Sequence, residues 1–76
     1  MYTRKLDDNT YSVILYDWVH LHEDYEAGEI KRNPEVDSED SDEYYWMYSP
    51  SSEVKYLSVG DMRKIMEFMV KLNEDL

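Results

Sequence analysis

The sequence predicts an α+β fold in which a small antiparallel sheet of about four strands is covered by one C-terminal amphipathic helix. Between positions 2 and 57, runs rich in aromatic and β-branched residues alternate with turn-forming residues, as in short strands. The C-terminal positions instead repeat apolar residues at helical spacing. The 76 residues are enough for a single domain, 1–76, and they include no cysteine, so packing rather than disulfides must stabilise it.

A β-hairpin is predicted at the N-terminus. Residues 2–6 form a short alternating run that ends in the turn-rich sequence Asp-Asp-Asn-Thr. Residues 11–21 are rich in β-branched and aromatic side chains and predict a long second strand. Because apolar side chains occur on both faces of that strand, it should lie centrally in the sheet or present its second face to a partner.

The middle of the chain predicts an acidic connector over residues 23–42. Gly28, Asn33 and Pro34 are expected to interrupt any regular element there, although a short helix or an additional strand over 24–32 stays open. Residues 43–49 predict the next strand. Pro50 and the two serines after it predict a turn, and residues 53–57 predict the antiparallel return strand.

The C-terminal helix is predicted to begin after Ser58. This serine is a suitable N-cap, and Asp61 three residues later forms a shorter version of a capping box. An apolar stripe with spacings of three and four should face the sheet, widened on its two sides by Phe68 and Val70. The stripe consists of Met62, Ile65, Met66, Met69, Leu72 and Leu76.

Acidic residues dominate the surface chemistry of the chain. It carries 18 acidic and 8 basic residues, a formal net charge of −10, and ten of the acids lie between Glu23 and Glu43. A block of like charge cannot pack into a core, so it must be solvated or matched by cations. The field of such a chain repels nucleic acid and anionic membranes and attracts basic surfaces. The predicted partner is therefore a basic protein, without direct binding to nucleic acid or membrane.

The candidate partner-binding residues combine these carboxylates with aromatic side chains. The chain contains eight Tyr and two Trp but only one Phe, a composition that is more typical of half-exposed surfaces than of a buried core. A purely structural role in the sheet is the alternative for each aromatic residue. The candidate residues are Asp17, Glu23, Asp24, Glu26, Glu35, Asp37, Glu39, Asp40, Asp42, Glu43, Tyr44, Trp46 and Tyr48.

Catalysis and cofactor binding have little support in the sequence. The chain has no cysteine nucleophile and only two glycines, too few for a glycine-rich phosphate loop. His20 and His22 could share one strand face, but no further ligands stand at a spacing typical of a zinc site. We therefore expect no enzyme activity, no catalytic residues, no metal and no cofactor.

The chain resembles the small acidic inhibitors that bacteriophages deploy against host nucleic-acid enzymes. The resemblance lies in its size, its acidic tract over 35–43, the tyrosine-rich run beside that tract and its sheet-plus-helix plan. That class includes DNA-mimic inhibitors of restriction, of repair glycosylases and of CRISPR effectors. The resemblance implies a non-enzymatic inhibitor that occupies a basic nucleic-acid-binding surface of a host defence or nucleic-acid enzyme, in the manner of an anti-CRISPR protein.

The alternative is an acidic protein–protein interaction module, such as an antitoxin or a regulatory subunit of a basic partner. The N-terminus has no secretory signal and no run reaches the length of a membrane span, so the expected location is the cytoplasm, that of the host cell for a phage protein. The thin core of so small a domain leaves association into a homodimer open.

Overall fold

The computed structural model describes residues 1–33 and 45–74. Within these ranges the chain forms one four-stranded antiparallel sheet, in the order β1-β2-β3-β4, and one helix near the C-terminus. The predicted α+β class is confirmed. The elements are β1 (Tyr2–Asp7), β2 (Thr10–Tyr16), β3 (Asp24–Arg32), β4 (Trp46–Pro50) and α1 (Val59–Glu74).

The strand register divides the sheet into two faces. Residues directly opposite each other in antiparallel strands project their side chains from the same face. The core face, on which α1 packs, includes Val13, Leu15, Tyr25, Ile30 and Trp46. The opposite surface is called the outer face. Its members are Tyr2, Arg4, Ser12, Ile14, Tyr16, Asp24, Glu26, Glu29, Lys31, Met47 and Ser49.

The hydrophobic core lies between the two central strands and α1. Val13 and Leu15 of β2 and Ile30 of β3 are almost completely buried, and Ile65 supplies the buried side chain of the helix. Burying side chains of this size stabilises the fold by about 1.5–3 kcal/mol each. Tyr11 joins the sheet to the helix, because its ring makes edge contacts with Trp46 at 5.8 Å and with Phe68 at 5.2 Å. The core is thus small and partly aromatic.

A β-bulge in β3 decides which of its side chains face the core. Val13 pairs with Gly28, and the next residue, Ile14, pairs with Glu26, so Ala27 is an extra residue between them. The insertion reverses the alternation of the strand. As a result Tyr25 turns towards the core, while Glu26 and Asp24 turn to the outer face.

Gly28 is required by this bulge. Its φ of 133° is one that residues with side chains rarely adopt. A Cβ at this position would also collide with the carbonyl oxygen of Ser49 and lie 2.9 Å from the Cα of Pro50. The expectation that Gly28 interrupts regular structure is therefore wrong, because the glycine lets β3 continue and pair closely with β4.

The start of α1 has the predicted cap. The Asp61 N–H donates to Ser58 Oγ at 3.0 Å, and the Ser58 N–H donates to Asp61 Oδ2 at 3.3 Å. The predicted stripe is only partly correct. Ile65, Phe68, Met69 and Leu72 pack on the core, whereas Met62 and Met66 are about half exposed, and Leu76 lies outside the described residues. The apolar arc of the helix is wider than the surface that this sheet offers it.

Three strand predictions need correction. The second strand ends at Tyr16 rather than at residue 21, because Asp17 accepts hydrogen bonds from the next turn. Within the predicted connector, β3 occupies 24–32, so the alternative of an additional strand is the one observed. Residues 53–57 form no strand. There the chain turns, with Val54 N–H donating to the Ser51 carbonyl at 3.2 Å, and crosses to α1.

Of the predicted 43–49 strand, β4 contains Trp46 onward, and positions 43 and 44 lie outside the described residues. Across residues 1–33 and 45–74, no helix is long and apolar enough to span a bilayer.

Replacing Gly28 with alanine should destabilise the fold strongly. Backbone strain of this kind costs roughly 1–3 kcal/mol, and the collision with Ser49 adds to it. Gly60→Ala is the matched control, since its added Cβ would meet only Ser58 Oγ at 3.7 Å and alanine is favoured over glycine in helices by about 1 kcal/mol. Urea unfolding followed by circular dichroism measures both. Equal stability of Gly28→Ala and the unsubstituted protein would contradict the bulge geometry.

Candidate functional site

Exposed carboxylates line up along β3 on the outer face. Asp24 and Glu26 are exposed, and Glu29 follows them on the same face beyond the bulge. We call these three residues the acidic column. Glu29 is 3.4 Å from the ammonium group of Lys31, whereas no cation of the described ranges pairs with Asp24 or Glu26. Two carboxylates of the column are therefore free to meet cations of a partner.

Aromatic side chains flank the acidic column. Tyr16 pairs with Asp24 across the sheet, and Tyr2 lies one strand beyond Ile14, the partner of Glu26. The ring of Trp18 packs against that of Tyr16 with centroids 4.5 Å apart, although Trp18 is 71 % exposed. Within the described part of the chain no helix covers this face, so carboxylates and aromatic rings are presented together.

The turn from β2 to β3 is held by a network of hydrogen bonds. We call residues 17–23 the aromatic loop. Asp17 Oδ1 accepts hydrogen bonds from the N–H groups of Val19 and His20, both at 2.9 Å, and from the Tyr56 hydroxyl at 2.8 Å. The Asp17 N–H donates to the Glu23 carbonyl at 2.9 Å, which closes the base of the loop. Asp17 is therefore partly exposed but engaged in hydrogen bonds within the chain.

These hydrogen bonds also set the charge state of the loop. The His20 N–H, followed by the Tyr56 hydroxyl and the Val19 N–H, stabilises the carboxylate and holds the pKa of Asp17 well below its usual range, against an opposing effect of desolvation. Desolvation, followed by the hydrogen bond to Asp17, raises the pKa of Tyr56. Across the neutral range the pair is thus a carboxylate accepting from a neutral phenol.

Eleven of the thirteen predicted site residues, all except Trp46 and Tyr48, separate into three groups. Glu23, Asp24 and Glu26 are exposed and lie together at the start of β3. Asp17 is close in the chain but is occupied by its loop hydrogen bonds. The third group lies outside the described residues and consists of Glu35, Asp37, Glu39, Asp40, Asp42, Glu43 and Tyr44.

The two predicted aromatic anchors of β4 face inward. Trp46 belongs to the core and is only 8 % exposed. Tyr48 is half-buried, and its hydroxyl donates to the Ala27 carbonyl at 2.7 Å, which fastens β4 to the bulge. Desolvation is the main cause that raises the pKa of Tyr48. The predicted partner contact of these two residues stays a prediction, and in the folded chain both rings help to cover the small core.

Sequence reasoning missed Trp18 as the exposed tryptophan. The signal was Asp17, a carboxylate on the otherwise apolar face of the predicted second strand. An aspartate that cannot be buried there favours a turn, and its side chain readily accepts backbone N–H bonds. After such a turn, the run Trp-Val-His-Leu leaves the sheet and its apolar residues become exposed.

Neither the metal-ligating side chains nor the pocket of the described residues offers a second candidate site. Among residues 1–33 and 45–74, no group of three or more metal-ligating side chains is placed to hold a metal ion. A pocket of about 360 Å³ lies over the ends of β3 and β4. Lys31 and Arg32 line it, and Arg32 also donates to the Tyr45 hydroxyl at 3.3 Å. These cations would repel a basic partner, so the pocket is unsuited to the predicted ligand.

No known protein family, curated protein or solved structure matches this chain.

Truncation of the two tryptophans should change the free energy of unfolding by very different amounts. Trp46→Ala removes a core side chain and should lower the free energy of unfolding by about 3–5 kcal/mol, much of the stability of a domain of this size. Trp18→Ala removes an exposed ring and should change it by less than about 1 kcal/mol. Urea titration of both variants measures the difference. A larger loss for Trp18→Ala would contradict the assigned positions.

The free energy of unfolding should depend on pH through Asp17 in the aromatic loop. Its pKa is lowered on folding, so its stabilising contribution is present above the unfolded pKa of about 3.9 and is lost as the pH falls through the folded value. The unsubstituted protein should therefore have a higher free energy of unfolding than Asp17→Asn at neutral pH, and this difference should become smaller as the pH is lowered towards 2. Urea unfolding across this range measures the difference. A difference of constant size would contradict the assignment, and Tyr56→Phe, which removes one donor, should reduce the same pH dependence.

Proposed function

We propose that this protein is a non-enzymatic inhibitor that occupies the basic nucleic-acid-binding surface of a host defence or nucleic-acid enzyme. The observation that carries the proposal is the acidic column, in which Asp24 and Glu26 are exposed on the sheet face opposite α1 and have no ion-pair partner among residues 1–33 and 45–74. A groove of Lys and Arg that normally holds phosphates could accept such a row of carboxylates.

The spacing of the column supports backbone mimicry. Alternate residues of a strand are about 6.6 Å apart, and Asp24 and Glu26 are such a pair. One strand of duplex DNA carries a phosphate about every 3.4 Å along the helix axis, so two steps cover nearly the same distance. A row of cations spaced for phosphates can therefore engage both carboxylates together.

The net charge supports the same partner. At −10, the chain attracts basic proteins over a distance comparable with the screening length and repels nucleic acid. The six acids of the 35–43 tract contribute more than half of this excess. Such steering raises the association rate, whereas close contacts determine how slowly the complex dissociates.

A second function is favoured by a different surface. Val59, Met62, Met66 and Val70 form an exposed apolar stripe along α1. A flexible, methionine-containing stripe of this kind suits an adaptable protein contact. It favours an acidic interaction module, such as an antitoxin or regulatory subunit of a basic partner. That module would hold its partner through apolar contact, with little dependence on salt.

Charge reversal on the outer face tests the inhibitor hypothesis. The double variant Asp24→Lys/Glu26→Lys should retain the fold but lose at least about tenfold in affinity for the target, because an attraction becomes a repulsion. Glu67→Lys/Glu74→Lys is the matched control, since it changes the net charge equally at exposed positions of α1, which packs on the opposite face of the sheet. The target is first captured on immobilised protein and eluted with salt or with duplex DNA.

The expected target is a nucleic-acid-binding protein that duplex DNA displaces and that the control variant still retains. Capture that resists both salt and DNA, or equal loss by the two double variants, would contradict mimicry and favour the interaction module.

A further inference from the structure

We infer that the aromatic loop is a preformed docking element whose exposed apolar tip enters an apolar site framed by Lys and Arg on the protein partner. This inference rests on the proposed function, because it concerns the same basic partner. It assigns the apolar part of the contact to Trp18, Val19 and Leu21, which lie between β2 and β3 and not in the acidic column.

The tip of the loop exposes an unusual amount of apolar surface. Trp18, Val19 and Leu21 are 71 %, 59 % and 60 % exposed, within a span of four residues. Single exposed apolar residues are normal, whereas a cluster at one point marks a contact surface. Tryptophan is also the residue type most enriched in binding hot spots. The tip therefore has the composition of an anchor.

The loop is held in one conformation before any partner binds. Three donors converge on Asp17 Oδ1, and the Tyr16 hydroxyl donates to the His22 carbonyl at 2.8 Å. His22 itself has a φ of 51°, a left-handed conformation that few non-glycine residues adopt, although histidine does so more readily than most. A loop already ordered in this way loses little conformational entropy on binding, so more of its contact energy becomes affinity.

The chemistry around the tip selects the partner. Glu23 and Asp24 are exposed at the end of the loop and favour cations around the bound site. A tryptophan could also stack on nucleic-acid bases or enter a membrane, but a chain of net charge −10 repels phosphates and anionic lipids. A second copy would bring the same charge and be repelled. An apolar site with a cationic rim satisfies both the tip and its carboxylates.

Two defined peptides test the inference. One combines lysine with leucine, and the other has the same lysines with serine in place of leucine, so that they differ only in apolar groups. Trp18→Ala should weaken binding of the lysine–leucine peptide at least about tenfold and change binding of the lysine–serine peptide less than about twofold. Leu6→Ala, which truncates an exposed apolar residue of β1 outside both proposed contact surfaces, is the matched control and should change neither affinity.

The charge variants separate failure of this inference from failure of the proposed function. Asp24→Lys/Glu26→Lys should weaken binding of both peptides, because each is cationic. If it weakens binding of both peptides while Trp18→Ala changes neither affinity, the inference about the loop is wrong but the proposed acidic surface is supported. If neither peptide responds to Asp24→Lys/Glu26→Lys, the proposed acidic surface itself is wrong.

Alternative binding partners of the loop would give different experimental results. Binding to phosphatidylcholine or anionic vesicles that Trp18→Ala removes would overturn the inference in favour of a membrane surface. A dimer seen in sedimentation that Trp18→Ala dissociates would overturn it in favour of a second copy. Asp17→Ala, which keeps Trp18 but removes the acceptor that orders the loop, should weaken binding of the lysine–leucine peptide, and unchanged affinity would exclude the preformed conformation.

Discussion

The close approach of β3 and β4 at Gly28 is the constraint on which the rest of the structure depends. Strict alternation along β3 would put Asp24 and Glu26 on the same face as Ile30, where two carboxylates would be buried without partners. The extra residue at Ala27 reverses the alternation and places Tyr25 there instead. The bulge therefore completes the core and creates the acidic column in one step, and only glycine fits beside it.

The acidic residues perform two separate tasks. Asp17 and Asp61 accept backbone N–H bonds, the first in the aromatic loop and the second at the start of α1, and each thereby fixes a change of chain direction. Asp24 and Glu26 do no such structural work and stay exposed. Composition alone cannot separate these tasks, because it depends on whether unpaired N–H groups lie within reach of the carboxylate.

The sequence was sufficient for the parts that depend on local pattern. The N-terminal hairpin, the Ser58 cap and the sheet-plus-helix class follow from turn residues, capping chemistry and helical spacing. It was insufficient where tertiary contacts override pattern. β3 was obscured because its bulge breaks the period of two. Asp17 indicates that Trp18 leaves the sheet, but the burial of Trp46 follows only from the packing of β4 in the core.

The net charge of this small protein counteracts the tendency of its exposed apolar surface to self-associate. The tip of the aromatic loop and the stripe on α1 would promote self-association in a neutral chain. A net charge of −10 opposes that association, because two copies would bring their carboxylates together. The proposed basic partner would remove the repulsion and cover apolar surface at the same time. The combination would thus disfavour self-association and favour one kind of partner, which is how a binding surface becomes selective.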